Sequence, residues 1–209
     1  MKDVCKPSIV VMGGSFNPPT IAHLILIKAA IEGVGADKGI FVPSNNAYVK
    51  RKMSKTDTPN AIYSEDERLT MLSAMCAEDE RLSADPLEYV YKMRSGNSLA
   101  TMDAIQEKNP DAELYFLFGG DKLKVFTKWK TFDEFVQKYR IIVFKREGND
   151  PETEIHKTQA LREHSDAFVI LPSPEGIEGI SSTVVRERLV QGDSVEEYLH
   201  PSVWQHICK

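Results

Sequence analysis

The chain has 209 residues, and 26 Lys and Arg against 31 Asp and Glu give a formal net charge of −5. A hydrophobic fraction of 42% is enough to bury a sizeable core in one domain, and 27% charged residues is ordinary, which excludes a wholly disordered chain. The acidic balance excludes a global basic field for duplex nucleic acid, so any anion site must be built locally from backbone amides and a few placed cations.

Ile9-Val10-Val11-Met12 is a short apolar run ending at Gly13-Gly14, the pattern of a buried parallel strand meeting a tight turn. Thr20 to Ile31 predicts an apolar helix closed by Gly33, and Ile40 to Pro43 a second strand. Residues 45–60 are polar and basic without periodicity and predict a long loop. Ser64-Glu65-Asp66-Glu67 is a capping box opening a helix to about Ala77. A weak strand follows near Arg81–Ala84, then a helix from Ser98 to about Lys108. Leu114 to Phe118 is the clearest strand and ends in Gly119-Gly120-Asp121. Thr131-Phe132-Asp133-Glu134 opens a helix, Ile141 to Phe144 is a strand, and Gly148–Glu154 predicts a turn-rich break. Phe168 to Leu171 is the last strand. Ser181-Ser182-Thr183 opens a helix that stops at Gly192, and Ser194–Leu199 with Pro201–Ile207 predict a small helical tail.

Strands alternating with helices imply βαβ units. The expected fold is α/β, a Rossmann-like doubly wound parallel sheet with helices on both faces and a small C-terminal helical tail. The whole chain, 1–209, is expected to form a single domain, with a core at about 8–190 and the tail at about 193–209. Ligands in such sheets sit beyond the carboxyl ends of the strands, so the turns after Met12, Val42, Phe118, Phe144 and Leu171 are where chemistry is sought.

The sharpest motif is Gly13-Gly14-Ser15-Phe16-Asn17-Pro18-Pro19-Thr20-Ile21-Ala22-His23. Two glycines let backbone approach a phosphate, and the next helix points its amides and positive dipole end at the same place. His23, one turn in, could donate to a phosphoryl oxygen. A lone Gly-Gly and His would read as a tight turn beside a core histidine; the preceding strand and the Pro-Pro turn favour the anion site. Ile180-Ser181-Ser182-Thr183-Val184-Val185-Arg186 is the second motif: hydroxyl residues at a helix start, with Arg186 on the face of Thr183. Ordinary N-capping with a solvated Arg fits that segment equally when it is taken alone. Gly119-Gly120-Asp121 offers a carboxylate for a ribose hydroxyl or simply a cap. Trp129, between Lys128 and Lys130, offers an exposed indole for stacking on a planar ring, or a partly buried surface side chain.

Gly33-Val34-Gly35 follows a helix and precedes a strand, the reverse of a dinucleotide fingerprint. No Walker phosphate loop, His-Glu-x-x-His or Gly-x-Ser-x-Gly segment occurs, which removes the P-loop kinase, zincin and α/β-hydrolase readings. No apolar run reaches the length of a membrane span, and the first seven residues lack the apolar stretch of a signal peptide. Cys5, Cys76 and Cys208 are odd in number and far apart, which points to a reducing intracellular compartment, cytoplasmic or nuclear.

The two motifs, in this order and this far apart, resemble the paired signatures of the nucleotidyltransferase α/β-phosphodiesterase superfamily. Phe118-Gly119-Gly120-Asp121, Trp129-Lys130 and the strand ending at Lys145-Arg146-Glu147-Gly148 resemble nicotinamide/nicotinate mononucleotide adenylyltransferases, notably the eukaryotic type. The resemblance spans about residues 8–190. It implies ATP and nicotinamide or nicotinate mononucleotide as partners, with no nucleic acid and no membrane, and Mg²⁺ carried on the substrate phosphates without a protein metal site. The implied reaction is in-line attack of the mononucleotide phosphate on the α-phosphorus, giving NAD or deamido-NAD and pyrophosphate.

Carried over by position, Gly14, Ser15 and Phe16 would meet ATP phosphates, with Ser15 shared by the mononucleotide. His23 would stabilise the transition state, and Ser182, Thr183 and Arg186 would hold the β- and γ-phosphates, Arg186 joining His23 as catalytic. Gly119 and Asp121 would meet a ribose, and Trp129 would stack on the pyridine ring. Tyr48, Lys50, Thr101 and Arg146 match weaker positions near the mononucleotide. Ser98-Leu99-Ala100 stands where the family often has an aromatic, and Lys128 where an apolar residue is common. The sequence leaves the oligomeric state open, a homo-oligomer included. Phosphopantetheine adenylyltransferases and cytidylyltransferases share both signatures, and a non-catalytic nucleotide-sensing module would retain the pocket.

Overall fold

The computed structural model describes residues 6–58, 60–90, 97–119, 122–145, 148 and 150–208. Six parallel strands form one sheet in the order β3-β2-β1-β4-β5-β6. They are β1 (Ser8–Gly14), β2 (Lys38–Pro43), β3 (Leu82–Ala84), β4 (Glu113–Phe118), β5 (Arg140–Phe144) and β6 (Phe168–Leu171). This is the doubly wound, Rossmann-like arrangement, and its order reverses between β1 and β4, the place where ligands bind in such sheets, beyond the strands' carboxyl ends.

Successive strand residues feed opposite cores, because side chains alternate across a sheet. Val10, Phe41, Leu117, Ile142 and Phe144 pack in one cluster with Leu24, Ile27 and Ile31 of α1 (Ile21–Val34) and Met71, Leu72 and Met75 of α3 (Glu65–Cys76). Ile9, Val11, Val42, Phe116, Phe118, Ile141 and Val143 pack in the other, with Met102 and Ile105 of α5 (Ser98–Lys108) and Phe135 of α7 (Phe132–Lys138). The central residues of β1, β4 and β5 are covered on both faces, which is why these strands read as nearly continuous apolar runs.

Three expectations are corrected. The 45–60 segment is not all loop: α2 spans Asn46–Met53, with the Asn45 side chain accepting from Tyr48 N–H and Glu65 Oε1 accepting from Asn46 N–H at 2.6 Å. Inside the expected turn-rich break, α8 (Pro151–Lys157) starts with Asp150 as N-cap and Pro151 in the first turn, a favourable helix opening. Helix α1 runs past Gly33 and is closed by Gly35 at φ +68°, the left-handed cap that glycine adopts without steric cost. Gly33 instead lies against Leu171, whose Cδ1 would stand 2.6 Å from an added Cβ.

Between and after these elements lie the short helices α4 (Leu87–Val90), α6 (Leu123–Phe126) and α9 (Gln159–Glu163). The chain closes with α10 (Ser182–Gln191) and the tail helix α11 (Pro201–Ile207), which packs on α3. None of the helices among the described residues is long and apolar enough to cross a membrane.

Candidate active site

At the end of β1 the chain turns sharply. Gly14 O accepts from Ser44 N–H at 2.8 Å, which ties the turn to the end of β2. A Cβ on Gly14 would stand 3.0 Å from Phe16 Cζ, so the ring fills the space a side chain there would need. Phe16 has φ +43°, a conformation unfavourable for an L-residue, and its buried ring sits edge-on to Phe41 and His23. Asn17 is buried with both side-chain polar atoms hydrogen-bonded: Nδ2 donates to Ala61 O at 2.8 Å and Oδ1 accepts from Tyr63 N–H at 2.9 Å. The turn is therefore a rigid object.

Thr20 is the N-cap of α1, and its N–H donates to His23 Nδ1 at 3.0 Å. A backbone N–H can only donate, so Nδ1 holds a lone pair and the imidazole proton sits on Nε2. Burial, with help from the Lys52 ammonium, pushes the His23 pKa down to about 4. At neutral pH His23 is thus an uncharged ring with one outward donor, Nε2–H.

The second motif meets the first. Ser182 Oγ donates to Pro18 O at 2.7 Å, and Arg186 Nη1 donates to Asn17 O at 2.8 Å and Ser182 O at 2.9 Å. Arg186 Nε donates to Thr58 Oγ1 and Nη2 to Thr183 Oγ1. Ser181 caps α10 by accepting from Val184 N–H. Two helix N-termini, those of α1 and α10, are thereby held on one mouth at the end of β1. Arg186 is 4% exposed and, among the described residues, hydrogen-bonded only to neutral oxygens.

Two cations join the site that sequence reasoning did not select. Lys52 of α2 donates from Nζ to Ser15 Oγ at 3.2 Å; its pKa is pushed down by burial and by Lys122 and Arg186. Lys50, the expected residue, is exposed. Arg68 of α3 is fully buried and donates to Ser15 O at 2.7 Å, to Asn46 Oδ1 at 3.0 Å and to Tyr63 O at 3.3 Å. One signal could have found it. Arg68 precedes Met71, Leu72, Met75 and Cys76 at helical spacing, so it lies in the apolar stripe of α3.

The candidates for the mononucleotide half are less gathered. Trp129 is half-buried, not exposed, with its ring edge-on to Phe118 at 5.7 Å and Phe126 at 5.1 Å, at the end of β4. Tyr48 lies on α2 under the Arg51 guanidinium. Gly119 is partly buried, and its carbonyl accepts from Lys122 N–H. Thr101 is 3% exposed, with its hydroxyl donating to Glu88 Oε1 at 3.3 Å inside the protein. Asp121 and Arg146 lie outside the described residues.

The arrangement suits phosphate. Backbone amides at two helix starts, a neutral His donor and the cations Arg186 and Lys52, whose hydrogen bonds among the described residues go to neutral oxygens, supply positive potential at the mouth, with the buried Arg68 beneath it. Among the described residues no group of three or more His, Cys, Asp or Glu could hold a metal ion.

Comparison with known proteins agrees with this geometry. A curated relative, the probable nicotinate-nucleotide adenylyltransferase of Lachnoclostridium phytofermentans, is 29% identical over 201 residues, covering 95% of each chain. Two solved structures share the fold: Plasmodium falciparum nicotinic acid mononucleotide adenylyltransferase complexed with APC (TM-score 0.73, 16% identity, 97% of this chain and 94% of that one), and the same protein complexed with NaAD (TM-score 0.70, 17% identity, 97% and 95%). The cytidylyltransferase-like family matches residues 11–188, from within β1 to within α10, so both motifs and the mouth between them lie inside the match. The chain belongs to the cytidylyltransferase-like family.

Proposed function

We propose that this chain is a nucleotidyltransferase that joins the AMP part of ATP to nicotinate mononucleotide, releasing pyrophosphate and forming deamido-NAD. The observation that carries the reading is the pair of hydrogen bonds from Ser182 and Arg186 to Pro18 O and Asn17 O, which tie the start of α10 to the turn that leads into α1. The names of the relatives and structural neighbours favour a pyridine mononucleotide, and the acid over the amide.

In this reading the turn at Gly14–Phe16 and the start of α1 receive the α-phosphoryl group, while Thr183 and Arg186 hold the β- and γ-phosphates. An oxygen of the mononucleotide phosphate attacks the α-phosphorus in line; a new P–O bond forms as the bond to the β-phosphate oxygen breaks, and pyrophosphate leaves. The attacking oxygen is already anionic, so no general base is needed and catalysis reduces to positioning and charge neutralisation. His23 donates from Nε2 to a phosphoryl oxygen as charge builds there. When bound with the triphosphate, Mg²⁺ would supply further charge neutralisation; the described side chains at the mouth are N–H, hydroxyl and cationic donors, which would leave the ion to the substrate. Trp129 at the end of β4 offers its exposed edge to the pyridine ring.

Pyrophosphate release from MgATP, measured separately with nicotinate mononucleotide, nicotinamide mononucleotide and phosphopantetheine, tests the reading. Release is expected with the pyridine mononucleotides, fastest with the acid. Release only with phosphopantetheine, or none with any acceptor, overturns it.

A further inference from the structure

The phosphate-binding turn contains a conformational problem that one residue outside the turn answers. Phe16 sits at φ +43°, in the left-handed region that residues bearing a Cβ disfavour. The turn adopts it because the preceding peptide is gripped from below. Arg68 Nη1 donates to Ser15 O at 2.7 Å, a charge-assisted bond made by a side chain with no exposed surface. Across a planar trans peptide the carbonyl and the following N–H point in opposite directions. Holding Ser15 O toward α3 therefore directs the Phe16 N–H away from α3. Among the described residues no acceptor takes that N–H. The other arms of the guanidinium reach Asn46 Oδ1 at the start of α2, the helix that carries Lys52, and Tyr63 O, whose own N–H is held by Asn17. A single buried cation thus sets the Ser15–Phe16 peptide, the seat of α2 and the segment that anchors Asn17.

We propose that Arg68 is a positioning residue for the phosphoryl-transfer site: it locks the Ser15–Phe16 peptide so that the Phe16 N–H is presented to the phosphoryl oxygen on which charge develops. The inference rests on the function proposed above for its kinetic consequence, but not for its structural one. Arg68→Lys keeps the charge but is shorter and lacks the planar fork, so it cannot hold Ser15 O in the geometry that the guanidinium sets. Asn46→Ala removes only the arm toward α2 and leaves Ser15 O held, so it is the control; Arg68→Met, which fills the buried space without a donor and is read in the same way, serves where Arg68→Lys does not fold.

Two readouts test the proposal, each on folded full-length protein. In phenylalanine-labelled protein the Phe16 amide resonance is expected to move in Arg68→Lys, while the Phe135 resonance, in the core beneath the other sheet face, stays in place. Turnover is expected to fall by about 10²-fold, the loss typical of one misplaced oxyanion donor, with KM for both substrates changed less than threefold. Asn46→Ala should leave the Phe16 resonance in place and lower turnover less than Arg68→Lys does. A Phe16 resonance unmoved in Arg68→Lys, or one moved as far by Asn46→Ala as by Arg68→Lys, overturns the proposal. A thermal midpoint that drops while turnover of the folded fraction stays at the wild-type value also overturns it, because a purely structural role predicts that result. If the wild-type protein releases no pyrophosphate, the function reading fails, and the resonance still reports on Arg68.

Discussion

The cations at the mouth and those elsewhere on the molecule have different partners. Away from the site, Lys28 and Arg81 share Asp79 at 3.2 and 2.8 Å, Lys108 meets Asp85 at 2.8 Å, and Lys138 meets both Asp103 and Glu134. At the mouth, Arg186 and Lys52 donate to carbonyl and hydroxyl oxygens. Solvent screens the first group, whose pairs contribute little to stability. The second is partly desolvated and, among the described residues, hydrogen-bonded to neutral oxygens, an arrangement that favours an arriving anion. Burial pushes the pKa of both mouth cations down, whereas the carboxylates around Lys138 hold its pKa up. Cations held in this way at one mouth suit a polyanion.

Mutations can break that contrast, and the largest effect should come from Arg186. Arg186→Ala should lower kcat/KM for ATP by about 10³-fold, since it removes the cation and unties Asn17 O from α10; steady-state kinetics with ATP varied checks this. Replacing His23 by Ala should lower turnover by about 10²–10³-fold with a smaller change in KM, and near wild-type turnover in a folded variant would remove His23 from the mechanism. Lys52→Ala should weaken ATP binding by about 10–100-fold, the range for a hydrogen bond to a charged group, as measured by titration calorimetry. Trp129→Ala should raise KM for the mononucleotide more than KM for ATP and also lower the melting temperature, because the indole packs on Phe118 and Phe126. Lys138→Ala, the control on the paired side, should leave all kinetic constants where they are.

The pH dependence follows from the same contrast. With its folded pKa near 4 against an ordinary 6.5, His23 binds fewer protons folded than unfolded between those values. Stability contributed by its neutral form is present above about pH 6.5 and is lost as pH falls toward 4. Thermal melts should show an acid-side loss in that window that shrinks in His23→Gln. Activity should show no His23 ionisation between pH 6 and 8, and a sharp fall centred near 6.5 would mean that the ring is not held neutral.

Much of the frame was legible because local and global signals agree. Ile9–Met12, Leu114–Phe118 and Ile141–Phe144 are continuous apolar runs because both sheet faces are covered, and Thr20, Ser64 and Ser181 cap the helices they were expected to open. Helix α2 was hidden because one of its N-terminal contacts is Glu65, 19 residues away, and because its exposed face carries Lys50 and Arg51 with no apolar period. Asp150-Pro151 fits a turn and a helix start equally, so the sequence alone could not separate them. At the site, His23 and Arg186 stood in motifs, but Lys52 and Arg68 did not. Their roles arise from contacts across 37 and 53 residues, and only the position of Arg68 on the apolar stripe of α3 hinted at burial.

The central claim is that the turn around Gly14 and the start of α10 share one triphosphate. The most direct measurement is equilibrium binding of a non-hydrolysable ATP analogue to wild type, Arg186→Ala, Lys52→Ala and Lys138→Ala. Binding that collapses in the first two variants and survives intact in the third is the predicted result; equal affinity in all four proteins would contradict the account.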